Sequence, residues 1–403
     1  MYVTSKNLPS VEFFFVGTAI SQGLCESLEA CSVAGNKFQL NVVTGLGNIS
    51  NINVITVQPF TMYPKGKKIW VKANLCDLNE HIKALLIPFI NIPVFKQISI
   101  TISIFFALVY KLWKNRSSKC IVIVYNVFSP FSIPTLIASK LFGCKCAAII
   151  ADLPFDDYDF KGWRGFLQRI DFYVQIHIIS KFNGIIALTQ KIIEDFAPLI
   201  PSIVIEGGIE IVKEPIEYRN PEKSNNFICL YSGALNEING ISLLLASFSL
   251  ITNPNFRLWI FGHGPLASLI INAAATDKRI VYWGQLSNDQ VKKHQREAAV
   301  LINPRPSNNK ITYYTFPSKL IEYMLSGRPV ITTKLSGISK DYYEHLIFLE
   351  KETPENLANL INNIYVSDPD VINEKCFKAE DFIRTKKNWH YQSQLIYDFL
   401  ITL

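Results

Sequence analysis

The chain predicts an α/β protein built as two doubly wound, parallel-sheet halves. Three observations carry this. Short apolar strands alternate with helical periods from end to end, a polar stretch with two prolines interrupts the alternation once, and 403 residues exceed what one core holds. Single cores rarely grow past roughly 250–300 residues, so two domains are expected. Hydrophobic residues are 49% of the chain and charged ones 18%, enough apolar side chains for two cores and too few charges for extended disorder.

In the first half, apolar runs bounded by turn residues predict strands at 11–16, 53–57, 120–125, 146–151, 184–188 and 202–206. Runs such as Ile121 to Val124 and Ala147 to Ile150 are apolar at every position, as parallel strands covered on both faces require. Helical spacing falls between them, at 36–46, 98–113, 134–141, 163–180 and 190–196. Residues 1–210 are therefore expected to form one domain. The stretch 211–226 holds Pro215 and Pro221 with no apolar period, and is the expected linker. Beyond it, strands are predicted at 227–232, 257–261, 280–283, 299–302, 329–333 and 346–349, with helices at 241–250, 264–275, 290–297 and 319–325. Residues 227–385 make the second domain, and 386–403 an amphipathic helix able to cap either half, packing back on the first included.

A net charge of +7 favours anionic partners such as nucleotides or phospholipid headgroups, but it is modest and no nucleic-acid-reading motif accompanies it. The eight cysteines are scattered, with only Cys144 and Cys146 close, so buried free thiols in a reducing cytoplasm are expected rather than zinc ligands. No basic region followed by an apolar run opens the chain, so no secretion signal is expected. The segment 98–110 is strongly apolar and leads into Lys111, Trp113, Lys114 and Arg116. It is shorter than the ~20 residues of a spanning helix. Two readings stand: a buried helix, or an interfacial helix whose basic end meets anionic lipid.

The densest signal is the segment from Thr315 to Ile331. Thr315, Pro317 and Ser318 predict a helix start, a hydroxyl capping free N–H groups and a proline whose missing N–H costs nothing there. Leu320, Ile321, Tyr323 and Met324 bury one face, and Gly327 ends the helix. Glu322, one turn in, is either an ordinary surface carboxylate or an acceptor for two hydroxyls, as a ribose diol offers. Gly233, Gly262, Gly264 and Gly284 each follow a predicted strand, where a missing side chain lets main chain approach a phosphate or a base edge. His263 lies in one of these turns, as an acid–base residue or one facing solvent or phosphate. Arg305 lies beyond the fourth strand, either in a surface salt bridge or forked onto a diphosphate.

The order of these pieces, Tyr231 to Leu235, Phe261 to Pro265, Trp283 to Leu286, Asn303 to Pro306 and Phe316 to Ile331, carries a family resemblance. The second half resembles the nucleotide-sugar domain of the retaining GT-B glycosyltransferases of glycosyltransferase family 4, the group 1 glycosyl transferases. It is most similar to the branch acting in bacterial surface-polysaccharide assembly. The likeness covers 227–350 well and the first half more loosely. It implies a GT-B fold, two Rossmann-like domains facing across a cleft, the first for acceptor and the second for donor.

By that resemblance Glu322 matches the second glutamate of a Glu-x7-Glu motif, holding the ribose and counted with Asp152 on the catalytic side. Phe316, Pro317, Ser318 and Lys319 match the loop around the diphosphate and sugar, Gly233 the glycine under the diphosphate, and Gly284 with Leu286 the segment beside the base. Three positions depart from the pattern: Tyr314 stands for the first glutamate, and Ala234 and Asn239 for the usual phosphate-binding Arg and Lys. Lys319 and Arg305 are the candidates for the missing charge. In the first half Gly35 and Asn36 match a helix start facing the acceptor, Asn126 is a further candidate, and Asp152 matches a polar contact to the donor sugar. Asp156, Asp157 and Asp159 are either a divalent-ion cluster or a solvated loop; the family generally needs no metal, and neither metal nor cofactor is expected beyond the donor itself. The implied activity is retaining, metal-independent transfer of a hexose-type sugar to a lipid-linked saccharide in capsule, exopolysaccharide or O-antigen assembly. Its implied place is the cytoplasmic face of the cell membrane, with peripheral contact with anionic lipid and no nucleic acid. The rivals are a nucleotide-sugar epimerase of the same architecture and a catalytically silent partner protein.

Overall fold

The computed structural model describes residues 11–153, 162–210 and 226–403. The expected linker, apart from Asn226, and Asp156, Asp157 and Asp159 lie outside them. The chain runs β1 (Val11–Gly17), α1 (Gln22–Glu26), α2 (Val33–Gly47), β2 (Ile52–Thr56), β3 (Trp70–Val71), β4 (Asn74–Asp77), β5 (Lys83–Leu86) and β6 (Phe89–Ile90). Then follow α3 (Phe95–Lys114), β7 (Lys119–Tyr125), α4 (Ser129–Leu141), β8 (Lys145–Ile150), α5 (Gly162–Ile179), β9 (Gly184–Ala187), α6 (Gln190–Phe196) and β10 (Ser202–Val204). Next come β11 (Phe227–Ser232), α7 (Ile241–Ser249), β12 (Phe256–Phe261), α8 (Ala267–Thr276), β13 (Ile280–Gly284), α9 (Asn288–Glu297), β14 (Val300–Asn303) and α10 (Lys310–Tyr314). The chain closes with α11 (Lys319–Leu325), β15 (Val330–Thr333), β16 (Ile347–Leu349), α12 (Pro354–Val366), α13 (Pro369–Lys386) and α14 (Trp389–Thr402).

Two compact units result, one ending at Ile205 but including Trp389–Leu403, the other spanning Glu206–Asn388. The first sheet has the order β10-β9-β8-β7-β1-β2-β5-β4. Its strands are parallel except at one edge, where β4 runs antiparallel to β5 and corrects the expectation of an all-parallel sheet. The reason is local. Asn79 Oδ1 accepts from the main-chain N–H of His81 and Ile82 at 2.9 and 2.8 Å, folding a tight turn where a parallel partner would need a crossover of about a dozen residues. The second sheet, β13-β12-β11-β14-β15-β16, is parallel throughout. Strand order reverses at β1 and β7 in one sheet and at β11 and β14 in the other, and the carboxyl ends beside such a reversal form a ligand crevice.

The first core packs Phe13, Phe15, Ile121 and Ile123 with Val42 and Leu46 of α2 and Ile396 and Leu400 of α14. Gly45 lets α2 and α14 close up, since a Cβ there would stand 1.8 Å from Ser393 Oγ. α3 divides its apolar surface. Ile100, Ile104, Leu108 and Leu112 recur every fourth residue and are buried, while Ile98, Ile102, Phe106, Tyr110 and Trp113 stay exposed. By length and composition alone α3 could cross a membrane, yet one face is packed into the unit. The buried-helix reading thus accounts for one face of α3.

The cysteines need a correction. Cys25 and Cys31 form a disulfide, with Cα atoms 5.4 Å apart, and the other six are free. The short α1 and the turn after it bring the two together across six positions, a juxtaposition that spacing alone did not signal.

The second unit is closed where its two ends meet. Lys387 Nζ lies 2.6 Å from Glu206 Oε2 and 4.8 Å over the Tyr342 ring, and Ser339 Oγ donates to Glu206 Oε1 at 2.5 Å. Both charged groups are buried, and removing one partner of such a pair costs about 3–5 kcal/mol by leaving a buried charge unmatched. Lys387→Met should therefore lower the second unit's unfolding free energy by that amount, read from the urea midpoint and slope, and the Glu206→Leu, Lys387→Met double variant should recover most of it.

Candidate functional site

The second unit's site grows from the turn after β11. Ser232 N donates to Tyr323 Oη at 2.8 Å, and Tyr323 Oη donates back to Ser232 O at 3.1 Å. Gln295 of α9 donates to Ser232 Oγ at 3.2 Å. Burial pushes the Tyr323 hydroxyl up to about 12, so it stays a neutral donor. This bond fastens α11 to the end of β11 and so fixes which face carries Glu322.

The glycines serve a role the sequence reading did not weigh. Gly233 N donates to Phe261 O at 3.0 Å, and Leu235 N to His263 O at 3.0 Å, zipping the turn after β11 to the turn after β12. A Cβ on Gly262, at φ +131°, would stand 1.9 Å from Gly233 O, and one on Gly264 2.4 Å from Leu235 O. One on Gly240 would stand 1.9 Å from Pro304 O, which draws the loop after β14 against the same turn. These glycines are required by main-chain contact before any ligand arrives. Gly284, at φ +68°, has open space around its missing Cβ, and its carbonyl accepts from Gly262 N at 2.8 Å.

That packing sets Arg305 in place. Its Nε is buried with no hydrogen-bond partner, and no carboxylate pairs with it among the described residues. Burial lowers its pKa from the ordinary arginine value, a cost only partly offset by Tyr231 nearby. The salt-bridge reading is therefore not what the structure holds. The loop is otherwise satisfied: Ser307 N donates to both Glu352 oxygens at 3.1 and 3.0 Å, and Thr333 Oγ1 donates to Arg305 O. Beside it, Tyr231 Oη and Asn239 Nδ2 donate to Ala234 O at 2.8 and 3.0 Å.

Glu322 Oε2 pairs with Lys319 Nζ at 2.9 Å, both side chains more than a third exposed. The helix start differs from expectation. Ser318 is itself helical, at φ −52° and ψ −23°, and makes no side-chain cap. Leu320 N and Ile321 N donate instead to Pro317 O and Ser318 O, a tight turn that uses the N–H groups a hydroxyl would have capped. Phe316 is buried against Tyr342 with ring centres 5.3 Å apart and Pro317 is buried too, so of this loop Ser318 and Lys319 are the accessible side chains. Leu286 packs on the core, His263 is exposed, and Trp283 stacks on Phe261 at 5.8 Å beside His294.

In the first unit, the candidates gather at the carboxyl ends of β1, β7 and β8. Asn36 clasps Ile20, accepting from its N at 3.0 Å and donating to its O at 2.9 Å. Gln39, one turn on and missed in the sequence, accepts from Thr18 N at 2.8 Å and donates to Gly35 O at 3.2 Å. The amide of Asn36 is thus engaged in shaping the loop. Asn126, at φ +56°, accepts from Ala151 N at 2.9 Å and Asp152 N at 3.1 Å, which positions Asp152 with its side chain exposed. Burial and the Asp152 charge raise the pKa of Tyr125, and a Cβ on Gly35 would stand 3.5 Å from Tyr125 Oη. Gly35, Tyr125 and Asp152 therefore share one patch. Among the described residues no group of three His, Cys, Asp or Glu is placed to hold a metal ion.

Residues 226–367 match the family model described as glycosyl transferases group 1. No curated protein sequence matches the chain. Solved structures do. Sucrose-phosphate synthase (tll1590) from Thermosynechococcus elongatus is similar at a TM-score of 0.66 and 14% identity, over 97% of this chain and 98% of its own. Anabaena Alr3699/HepE, solved with UDP, gives 0.65 and 14% over 97% and 100%. A glycosyltransferase from Rickettsia africae gives 0.66 and 14% over 98% of each chain. The chain thus has the GT-B fold, its two α/β units matched nearly end to end, and its second unit is similar to the group 1 glycosyl transferases.

The main-chain zipper makes a prediction independent of ligand. Gly262→Ala meets both a carbonyl and a left-handed φ, and should destabilise the second unit by at least about 2 kcal/mol. Gly23→Ala, a helical position with nothing within 4 Å, should raise stability slightly; urea unfolding of the two variants compares them.

Proposed function

We propose that this protein is a glycosyltransferase that takes a sugar from a nucleoside diphosphate sugar. The observation that carries the reading is Arg305: a half-buried arginine whose Nε has no hydrogen-bond partner and which no carboxylate pairs with among the described residues, at the carboxyl-end reversal of the second sheet, beside the Gly233 turn. A cation held so is stabilised by an incoming diphosphate, which a planar fork of donors suits. Lys319 adds charge nearby, and Glu322 accepts the ribose hydroxyls once Lys319 turns to phosphate. The group 1 match over this unit and a bound UDP in the Anabaena relative support the same assignment.

Arg305 and Lys319 would stabilise charge on the departing diphosphate, and a retaining course, in which a donor phosphate oxygen takes the acceptor proton, needs no separate base in this unit. On the first unit, the acceptor-side surface runs over Gly35 and Asp152, with Tyr125 and Asn126 buried beneath and Asp152 the exposed carboxylate for a sugar hydroxyl. The acceptor we infer is a lipid-linked saccharide of surface-polysaccharide assembly, met at the cytoplasmic face of the membrane. The exposed face of α3, ending at Trp113, Lys114 and Arg116, supports that reading. Lys111 does not belong to this surface, since its Nζ donates to Asn53 Oδ1 at 3.0 Å and is half-buried.

Titration calorimetry with UDP and GDP tests the donor site. One of them should bind, and Arg305→Met should weaken it at least about tenfold, the worth of one charge-assisted contact. Glu322→Gln should weaken the ribonucleotide but leave the 2′,3′-dideoxy form unchanged. Absence of binding by either nucleotide would favour the silent-partner reading. Removing the charges of Lys114 and Arg116 should cut partitioning onto anionic vesicles severalfold, with no effect on neutral ones.

A further inference from the structure

Two adjoining cavities open in the first unit where the starts of α3 and α4 meet α5. The larger, about 640 Å³, is walled by Met62, Val94, Ile98, Ile102 and Ile133. The smaller, about 220 Å³, reaches Thr18 and Gln58 beyond the carboxyl ends of β1 and β2 and includes Lys96. Gln97, Pro130 and Asp171 line both. The apolar end is not isolated: Ile98 and Ile102 continue along α3 into the exposed Phe106, Tyr110 and Trp113.

Polar groups stand among the apolar lining at and beyond the join. Lys96 Nζ donates only to Phe60 O, at 2.8 Å, is half-buried, and has no carboxylate partner among the described residues. Ser129, about nine-tenths buried, lines the larger cavity with an Oγ that has no hydrogen-bond partner. Asp171 Oδ2 accepts from Gln175 Nε2 at 2.8 Å, a carboxylate on the shared wall suited to sugar hydroxyls. An apolar channel with an unpartnered hydroxyl on its wall, and a smaller lobe beyond that holds a half-buried cation, fit one kind of molecule.

We propose that this pair of cavities is a lipid-phosphate site, taking the first part of the acceptor's lipid chain in the larger lobe. The lipid phosphate rests on Lys96 and Ser129, and the attached sugar continues toward Thr18. The proposal rests on the reading of the acceptor as a lipid-linked saccharide, but not on the donor assignment. Its volume falls within the roughly 300–1,000 Å³ of pockets that enclose a ligand. Opening onto the apolar α3 face lets a chain enter from a bilayer without crossing water.

The test uses the full chain and farnesyl phosphate as probe, with farnesol and UDP alongside, all by calorimetry. Farnesyl phosphate should bind, and Ile102→Asp, at an exposed position that leaves the core intact, should weaken it at least tenfold. Lys96→Met should weaken farnesyl phosphate tenfold and farnesol less than twofold. UDP affinity should be the same in all three proteins. Failure of farnesyl phosphate to bind a chain that binds UDP would overturn the proposal, as would an unchanged affinity in Ile102→Asp. So would a concentration-dependent dimer that excludes the probe, which would make a second copy the occupant. Farnesyl phosphate binding as expected without UDP binding would uphold this site while removing the donor reading.

Discussion

The second unit depends on main chain meeting main chain. Where the turns after β11 and β12 are zipped together, and where Gly240 admits Pro304, there is no room for a single Cβ. That crowding brings the loop after β14 inward and leaves Arg305 half-buried, its Nε without a partner. An arginine on a looser loop would turn to water. Here the fold itself holds Arg305 in place, and the Tyr323–Ser232 bonds fasten α11, which carries Glu322, to the end of β11. Stability and the proposed donor recognition would thus draw on the same few contacts.

The first unit reaches a comparable end by side-chain amides. Asn36, Gln39 and Asn126 are buried, and each ties down a loop at a strand's carboxyl end. The polarity of Asn36 and Asn126 reads as ligand chemistry in the sequence, but the hydrogen bonds of all three go to the protein. What they leave exposed, Asp152 above all, is the surface a substrate would meet. Polar residues in such crevices divide into those that build the wall and those that face out, and only geometry separates them.

The alternating elements were legible because parallel strands buried on both faces are apolar without interruption, and β11, α6 and α11 fall at the residues that periodicity indicates. β3 and β6 were not, since two residues carry no period. α12 and α13 offered signals that went unread, Thr353 before Pro354 and Asp368 before Pro369, each a cap followed by a proline. Arg305 beyond β14 and Glu322 one turn into α11 lie where the sequence pattern puts them. That Gly262 and Gly264 serve packing was hidden, because a glycine looks alike whether a phosphate or a carbonyl lies beside it. The Cys25–Cys31 bond was hidden too, because scattered cysteines say nothing of which turns bring them together.

One picture underlies these assignments: a diphosphate completing the charge that the fold leaves open at Arg305. A crystal structure of the chain soaked with UDP tests it most directly. The account predicts diphosphate oxygens within hydrogen-bond distance of the Arg305 guanidinium and the ribose hydroxyls on Glu322. A nucleotide seated elsewhere, or an Arg305 that finds a protein carboxylate instead, would contradict it.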